Sequence, residues 1–207
     1  MSKVFVNMGI SLDGYVAGPN RGPKNPLGDG GRCIHAWMFA QRSFRRHLHL
    51  DDGGETGQDD RIVGAVFDRI GASILGKRMF EEGEAAWPEE APFGTPVFVL
   101  TKEVRAPWVR PGGTTFHFVN DGIEGALAKA RAAAGTKDVR ISGGRNLVLQ
   151  YLNAGLVDEL ELALVPVFLG DGLRLFDGID ANRVAVEISE TIPSPVVTHL
   201  RYRVTKR

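Results

Sequence analysis

The sequence predicts an α/β protein built on a mostly parallel central sheet with an antiparallel C-terminal edge. Two observations carry this. Between residues 72 and 154, short β-favouring runs alternate with helix-like runs, the pattern of parallel strands joined by crossover helices. After residue 158, three β-favouring runs follow with little helix between them, which suits antiparallel pairing. A length of 207 residues, 43% hydrophobic and 24% charged, fits one globular domain spanning 1–207.

Residues 3–11 read as the first strand. Residues 12–32 are rich in glycine and proline and read as a long irregular loop. Loops of that length in compact domains are uncommon and often serve as functional lids. Residues 34–48 are predicted as a helix with Ile34, Trp37, Met38 and Phe44 near one face. A polar break at 51–57 precedes a second helix at 59–70, where Ile62, Val63, Val66, Phe67 and Ile70 recur at helical spacing. A strand at 72–75 ends in Gly76-Lys77-Arg78 and a helix at 79–84. Strands follow at 96–100 and 114–119, then an alanine-rich helix at 121–134. A strand at 138–141 leads through Ser142-Gly143-Gly144 into a helix at 144–154. The antiparallel edge is expected from 159–168, 185–190 and 197–204.

Composition excludes several functions. The formal net charge is +0, so no global field recruits nucleic acid or an acidic membrane. No run approaches the ~18 apolar residues that span a bilayer. The chain opens directly into a strand pattern rather than a charged-then-apolar leader, so the expected location is cytoplasmic. Cys33 is the only cysteine, which rules out an intrachain disulfide.

The chemistry is expected at strand ends, because ligands of open α/β sheets lie beyond the strands' carboxyl termini. Three ends have residues suited to phosphate. Gly143-Gly144 opens a helix whose unpaired amides face outward, and bare glycine backbone lets an anion approach. Taken alone, two glycines also make an ordinary tight turn. Lys77 and Arg78 stand at a helix start, where cations oppose the helix dipole unless an anion visits. Thr101-Lys102 adds a hydroxyl and a cation past a third strand. Together these ends point to a nucleotide, and Lys77, Arg78 and Lys102 suit a ribose 2′-phosphate, favouring NADPH over NADH.

Four segments occur in a fixed order: Ser11-Leu12-Asp13-Gly14-Tyr15-Val16-Ala17-Gly18-Pro19, Ile74-Leu75-Gly76-Lys77-Arg78-Met79-Phe80-Glu81, Val99-Leu100-Thr101-Lys102 and Ser142-Gly143-Gly144. In that order they resemble the dihydrofolate reductase-like superfamily. Leu156-Val157-Asp158-Glu159-Leu160 and Pro166-Val167-Phe168-Leu169-Gly170-Asp171-Gly172 bring the chain closer to the group resembling the C-terminal reductase domain of bacterial riboflavin biosynthesis. The resemblance spans nearly the whole chain. It implies a three-layer dihydrofolate reductase-like fold and NADPH bound across the strand ends. It places Ala17 and Gly18 near the nicotinamide and Gly76, Lys77 and Arg78 at the adenosine-side phosphates. It places Leu100, Thr101 and Lys102 beside the adenosine ribose. Ser142, Gly143, Gly144, Arg145 and Asn146 form the pyrophosphate cradle. The 12–32 loop becomes a flexible lid. Met79 departs from the pattern, standing where dihydrofolate reductases usually carry a phosphate-binding threonine.

Hydride transfer also needs a proton source and a dry pocket. Asp60, near the start of the predicted helix before the glycine–cation strand, and Asp13, opening the lid, are the two candidate catalytic residues. Asp60 equally suits a helix cap, and Asp13 an Asp-Gly turn. Arg145, Arg174 and Lys24 are candidate donors to a ribose phosphate. His47, His49, Asp51 and Asp52 have poor spacing for a metal, so none is expected. Trp87 is a candidate pocket residue. The reading is an NADPH-dependent reductase of a pyrimidine- or pterin-like small molecule, resembling 5-amino-6-(5-phosphoribosylamino)uracil reductase. Dihydrofolate reductase activity proper, or nucleotide binding without turnover, are the alternatives. By analogy the terminal antiparallel strands form a homodimer.

Overall fold

The computed structural model describes residues 2–84 and 87–206. The strands are β1 Val4–Ser11, β2 Tyr15–Ala17, β3 Ile70–Gly76, β4 Pro96–Leu100, β5 Trp108–Val109, β6 Thr115–Val119, β7 Asp138–Gly143, β8 Glu159–Val165, β9 Leu173–Arg174, β10 Val184–Pro193 and β11 Thr198–Lys206. The helices are α1 Ala36–Phe39, α2 Arg42–His47, α3 Gln58–Arg69, α4 Lys77–Glu84, α5 Gly122–Ala134 and α6 Arg145–Asn153. Nine strands form one sheet in the order β10-β11-β8-β1-β7-β3-β4-β6-β5. Pairing is parallel from β8 to β6. It is antiparallel at both margins, where β11 and β10 extend one side and short β5 closes the other.

Strand alternation sorts side chains onto two faces. Val4, Val6, Val139, Ile141, Ala72, Ile74 and Phe98 join the main core beneath α5 and α6. On α5, Ala126, Ala130 and Ala134 are buried, and their small side chains let the helix lie close to β3 and β4. From α6, Leu147, Val148, Tyr151 and Leu152 fill the same layer, and the Tyr151 hydroxyl donates to the Ile123 carbonyl at 2.7 Å. Each such fully buried aliphatic side chain contributes about 1.5–3 kcal/mol. The opposite face is covered by two smaller clusters. Val66 of α3 packs on Phe5 and Ile70, while Phe80 of α4 packs on Leu75, Val97, Val99 and Phe116.

That second face differs between its halves. Under α4 it is formed by this apolar cluster. Under α1–α3 it presents Asn7, Gly9, Arg140, Glu161, His199 and Arg201, aligned by the registers Asn7↔Glu161, Arg201↔Glu161 and His199↔Ala163. Polar residues in buried strands are the fold's main local anomaly, and they lie where a cavity opens.

Two elements depart from expectation. The helix predicted over 34–48 is three pieces: a 3₁₀ turn Gly31–Ile34, then α1 and α2. The break falls at Gln41, whose backbone is extended (φ −76°, ψ 139°). Its neighbours pair with the following loop instead: Glu55 N–H donates to the Ala40 carbonyl at 2.7 Å, and Arg42 N–H to the Glu55 carbonyl at 2.9 Å. The buried Gln41 amide donates to the Trp37 carbonyl at 2.8 Å. Tertiary hydrogen bonds here override helical periodicity. The 12–32 loop contains β2, which pairs with β9. Beyond it the loop bonds to itself, through Gly18 N–H to Leu27 O at 2.9 Å and Asp29 N–H to Pro19 O at 2.8 Å.

Candidate functional site

A long cleft runs along the strand ends in three connected chambers. The outer one, about 250 Å³, is lined by Gly76, Lys77, Arg78, Leu100, Gly144, Arg145 and Asn146. The ends of β3 and β7 approach as bare backbone. A Cβ on Gly76 would stand 3.6 Å from the Gly144 nitrogen, and a Cβ on Gly144 would meet nothing within 4 Å. Gly143 turns the chain at φ +120°, a left-handed backbone that favours glycine. At the start of α6 the Leu147 N–H bonds back to the Gly144 carbonyl at 3.0 Å, and the amides ahead of it have no intrahelical partner. Two polar atoms at this turn, Ser142 Oγ and Arg145 Nε, are buried and have no hydrogen-bond partner. Buried polar groups are nearly always paired, so this set beside open backbone makes the turn a candidate ligand site. A nucleotide pyrophosphate fits that donor set.

The middle chamber, about 450 Å³, begins at Val16, Ala17, Ser142 and Gly143 and reaches Asn7, His35, Met79, Trp87 and Arg140. The same inner residues open a third chamber of about 220 Å³ between the sheet and α1–α3. Its walls are aromatic and apolar: Trp37, Phe44, Phe67, Trp87 and Phe93. Gly9 makes room for this arrangement, because a Cβ there would meet Ile34 Cγ2 at 2.9 Å and His35 Cε1 at 3.4 Å. Burial lowers the His35 pKa to about 4, so its imidazole is neutral at pH 7. His47 is also pushed below its ordinary value by burial, with the Pro92 carbonyl opposing the shift. His47 stacks on Phe67 at 3.7 Å and reaches Pro92 O at 3.1 Å, joining α2 to the far rim. On the floor, Glu161 accepts from Arg69 Nη1 at 2.9 Å and Asn7 Nδ2 at 3.1 Å. The His199 ring lies 2.8 Å from Asp59 Oδ1, edge-on to Trp37.

The sequence matches the RibD C-terminal domain over residues 2–198. The chain belongs to the RibD C-terminal domain family. Bacillus subtilis YyaP, itself uncharacterized, is 42% identical over 59 residues, which is 28% of this chain and 31% of YyaP. Bacillus subtilis YwjB, also uncharacterized, is 25% identical over 126 residues, or 58% of this chain and 66% of YwjB. These matches therefore span only part of each relative. Among solved structures, a pyrimidine reductase-like protein from Corynebacterium diphtheriae superposes with a TM-score of 0.58 at 15% identity, covering 100% of this chain and 93% of that one. The deaminase/5-amino-6-(5-phosphoribosylamino)uracil reductase of Thermotoga maritima gives a TM-score of 0.61 at 12% identity, covering 99% of this chain and 57% of that one. Dihydrofolate reductase from Enterococcus faecalis, complexed with NADP(H), gives 0.56 at 15% identity, covering 99% and 96%. These likenesses establish the dihydrofolate reductase-like fold. Together with the family they point to an oxidoreductase of the riboflavin-pathway kind.

Within this RibD C-terminal domain, the strand-end residues do not all reach the cleft. Gly76, Lys77, Arg78, Leu100, Gly144, Arg145 and Asn146 line the outer chamber, while Ala17, Ser142 and Gly143 line the middle one. Thr101 instead turns its hydroxyl to the Glu103 N–H at 3.1 Å, and Lys102 is exposed. Gly18 serves the lid loop through its bond to Leu27. The cations at the start of α4 have protein partners: Lys77 pairs with Glu103 and Glu81, and Arg78 with the buried Glu82 at 3.2 Å. Their placement at a helix start therefore needs no visiting anion to explain it.

Neither candidate acid lines a chamber. The Asp13 carboxylate accepts from Ser11 Oγ at 2.6 Å, Leu169 N–H at 3.1 Å and Gly170 N–H at 2.7 Å. Burial alone would raise its pKa; the Ser11 hydroxyl and these amides overcome that and lower it to about 2. A carboxylate held so firmly ionised clamps the first strand's exit to the 169–170 turn. Asp60 accepts the Ser43 N–H at 2.6 Å, satisfying the first turn of α2. Arg174 stacks on Tyr15 rather than lining the inner chamber. Asp51 and Asp52 pair with Arg45 and Arg46.

Several lining residues stood outside the expected cofactor-binding and catalytic sets. Met79 borders all three chambers, so the departure from threonine sits at their junction. Trp87 lines the inner two, held there because Gly83 leaves room for its indole. Arg140 and Glu161 did leave a signal: charged residues inside runs that otherwise read as buried strands. His35 and His199 left none, because one sits in a broken helix and the other on an edge-strand pattern.

Proposed function

We propose that this protein is an NADPH-dependent reductase of a pyrimidine- or pterin-like ring. One observation carries the reading: the double-glycine turn, with its unpaired Ser142 Oγ and Arg145 Nε, opens directly into an aromatic chamber deep enough for a ring. Arg145, Asn146 and the α6 amides would hold the pyrophosphate, and Lys77 and Arg78 the 2′-phosphate. When bound, NADPH supplies the hydride. The protein's part is to orient the acceptor ring between Trp87 and the sheet, to exclude water with apolar walls, and to supply a proton. The Asp59–His199 pair is the proton donor in this reading, since the ring lies 2.8 Å from Asp59 Oδ1 and His199 borders the inner chamber. The exposed outer edge of β10, with Ile188 72% and Val186 50% exposed, pairs two copies into a homodimer.

Fluorescence titration of NADPH and NADH against wild type and Lys77→Ala/Arg78→Ala tests the cofactor. Wild type should prefer NADPH, and the double variant should lose that preference while keeping its NADH affinity. Equal affinity of wild type for both cofactors refutes the 2′-phosphate assignment; no binding of either refutes the reductase reading.

A further inference from the structure

Arg140 is the one strong cation on the floor of the inner chamber without a carboxylate partner among the described residues. Its Nε is buried and unpaired, and its Nη2 lies 3.4 Å from the Asn7 carbonyl, a weak contact. Burial lowers its pKa to about 10, with the Glu161 charge opposing the shift, so the guanidinium stays cationic at neutral pH. Glu161 is already engaged by Arg69 and Asn7. Arg201, the other guanidinium at this chamber, is paired with Glu190 and Glu161. A desolvated cation with an unused donor is costly unless a ligand completes it. The strand register makes this a built feature, because Arg140 pairs with Phe5 across β1 and shares the pocket face with Asn7.

The charge available fixes the ligand's charge. His35 and His47 are held toward the neutral form, so the chamber offers a single unpaired positive group. A phosphate dianion calls for several cations or a nest of amides. The walls offer flat aromatic surfaces instead, in a space of about 220 Å³.

We propose that the inner chamber binds a compact planar monoanion, an aromatic or heteroaromatic ring bearing a carboxylate or acidic enolate oxygen seated on Arg140, and that it rejects sugar phosphates. The proposal rests on reading this chamber as the substrate site, and it narrows the substrate away from the phosphoribosyl-bearing pyrimidine that the family resemblance suggests. The ring lies against Trp37 and Trp87, and its anionic oxygen is met by the Arg140 guanidinium.

The test uses matched probes that differ in charge: orotate against uracil, benzoate against benzamide, with uridine 5′-monophosphate as the sugar phosphate. Binding is read by tryptophan quenching and calorimetry without NADPH. In wild type each acid should bind at least about tenfold tighter than its neutral partner, the strength of a buried charge-assisted hydrogen bond. Arg140→Met should abolish that gap, and Arg140→Lys should retain part of it; circular dichroism confirms that both variants fold. The proposal is overturned if acid and neutral probe bind alike, if neither acid binds at millimolar concentration, if uridine 5′-monophosphate outcompetes orotate, or if Arg140→Met keeps the gap. NADPH titration runs separately, so loss of cofactor binding strikes the reductase reading and leaves this result intact.

Discussion

His35 makes folding stability depend on pH in a way that can be worked out from its surroundings. The imidazole lies between the middle and inner chambers, against the Gly9 backbone, and desolvation lowers its pKa from 6.5 to about 4. Unfolding returns the ring to water and to its ordinary value. Between the two values the unfolded chain binds the proton and the folded chain does not. The His35 contribution to stability is therefore fully present above pH 6.5 and is lost as the pH falls through about 4. Linkage over that shift amounts to about 3 kcal/mol in all, of which about 2.5 kcal/mol is gone by about pH 4.5. Urea unfolding followed by tryptophan fluorescence at pH 7.5 and 4.5 measures it. His35→Gln, which cannot titrate, should lose about 2.5 kcal/mol less than wild type over that interval. Identical losses in the two proteins would show that His35 is solvated in the folded state and that the packing against Gly9 is wrong.

Three further outcomes are expected. Alanine normally stabilises a helix relative to glycine, but Gly83→Ala should destabilise by about 1–3 kcal/mol, because the new methyl overlaps the Trp87 indole; thermal melts with the Trp87 emission shift check it. Asp13→Asn should speed proteolysis within residues 12–32 and 166–172 and lower the melting temperature near pH 7. The wild-type advantage is present above pH 3.8 and fades as the pH falls through about 2, since the folded pKa is depressed. His199→Gln should lower kcat by about 10²-fold or more while leaving NADPH affinity unchanged; a full-speed variant would remove Asp59–His199 from the proton path.

The strand-end cleft was the most legible part of the chain. Gly143-Gly144 alone equally suits a tight turn; taken with Gly76 and Thr101-Lys102 at other strand ends, it pointed to the cleft that Gly76 and Gly144 line. What local reasoning could not see was partnership. Lys77 and Arg78 read as phosphate-binding cations, and Glu103, Glu81 and Glu82 also meet them in space. Glu103 lies 26 residues from Lys77, on a different strand's exit. Asp13 and Asp60 were candidate acids that equally suited a turn and a helix cap, and each is taken up by backbone amides from a distant segment.

Periodicity and glycine placement by themselves pointed to the parallel sheet, its antiparallel C-terminal margin and the double-glycine turn, because strand–helix alternation and turn chemistry are written in short stretches of sequence. Only the tertiary structure decided the inner chamber. Its floor joins Asn7 of β1, Arg140 of β7, Glu161 of β8 and His199 of β11, and its roof is the broken helix around Gln41. Whether a buried charge is paired or left open for a ligand depends on which strands become neighbours. That choice is made by long-range register, to which no local pattern in the chain is sensitive.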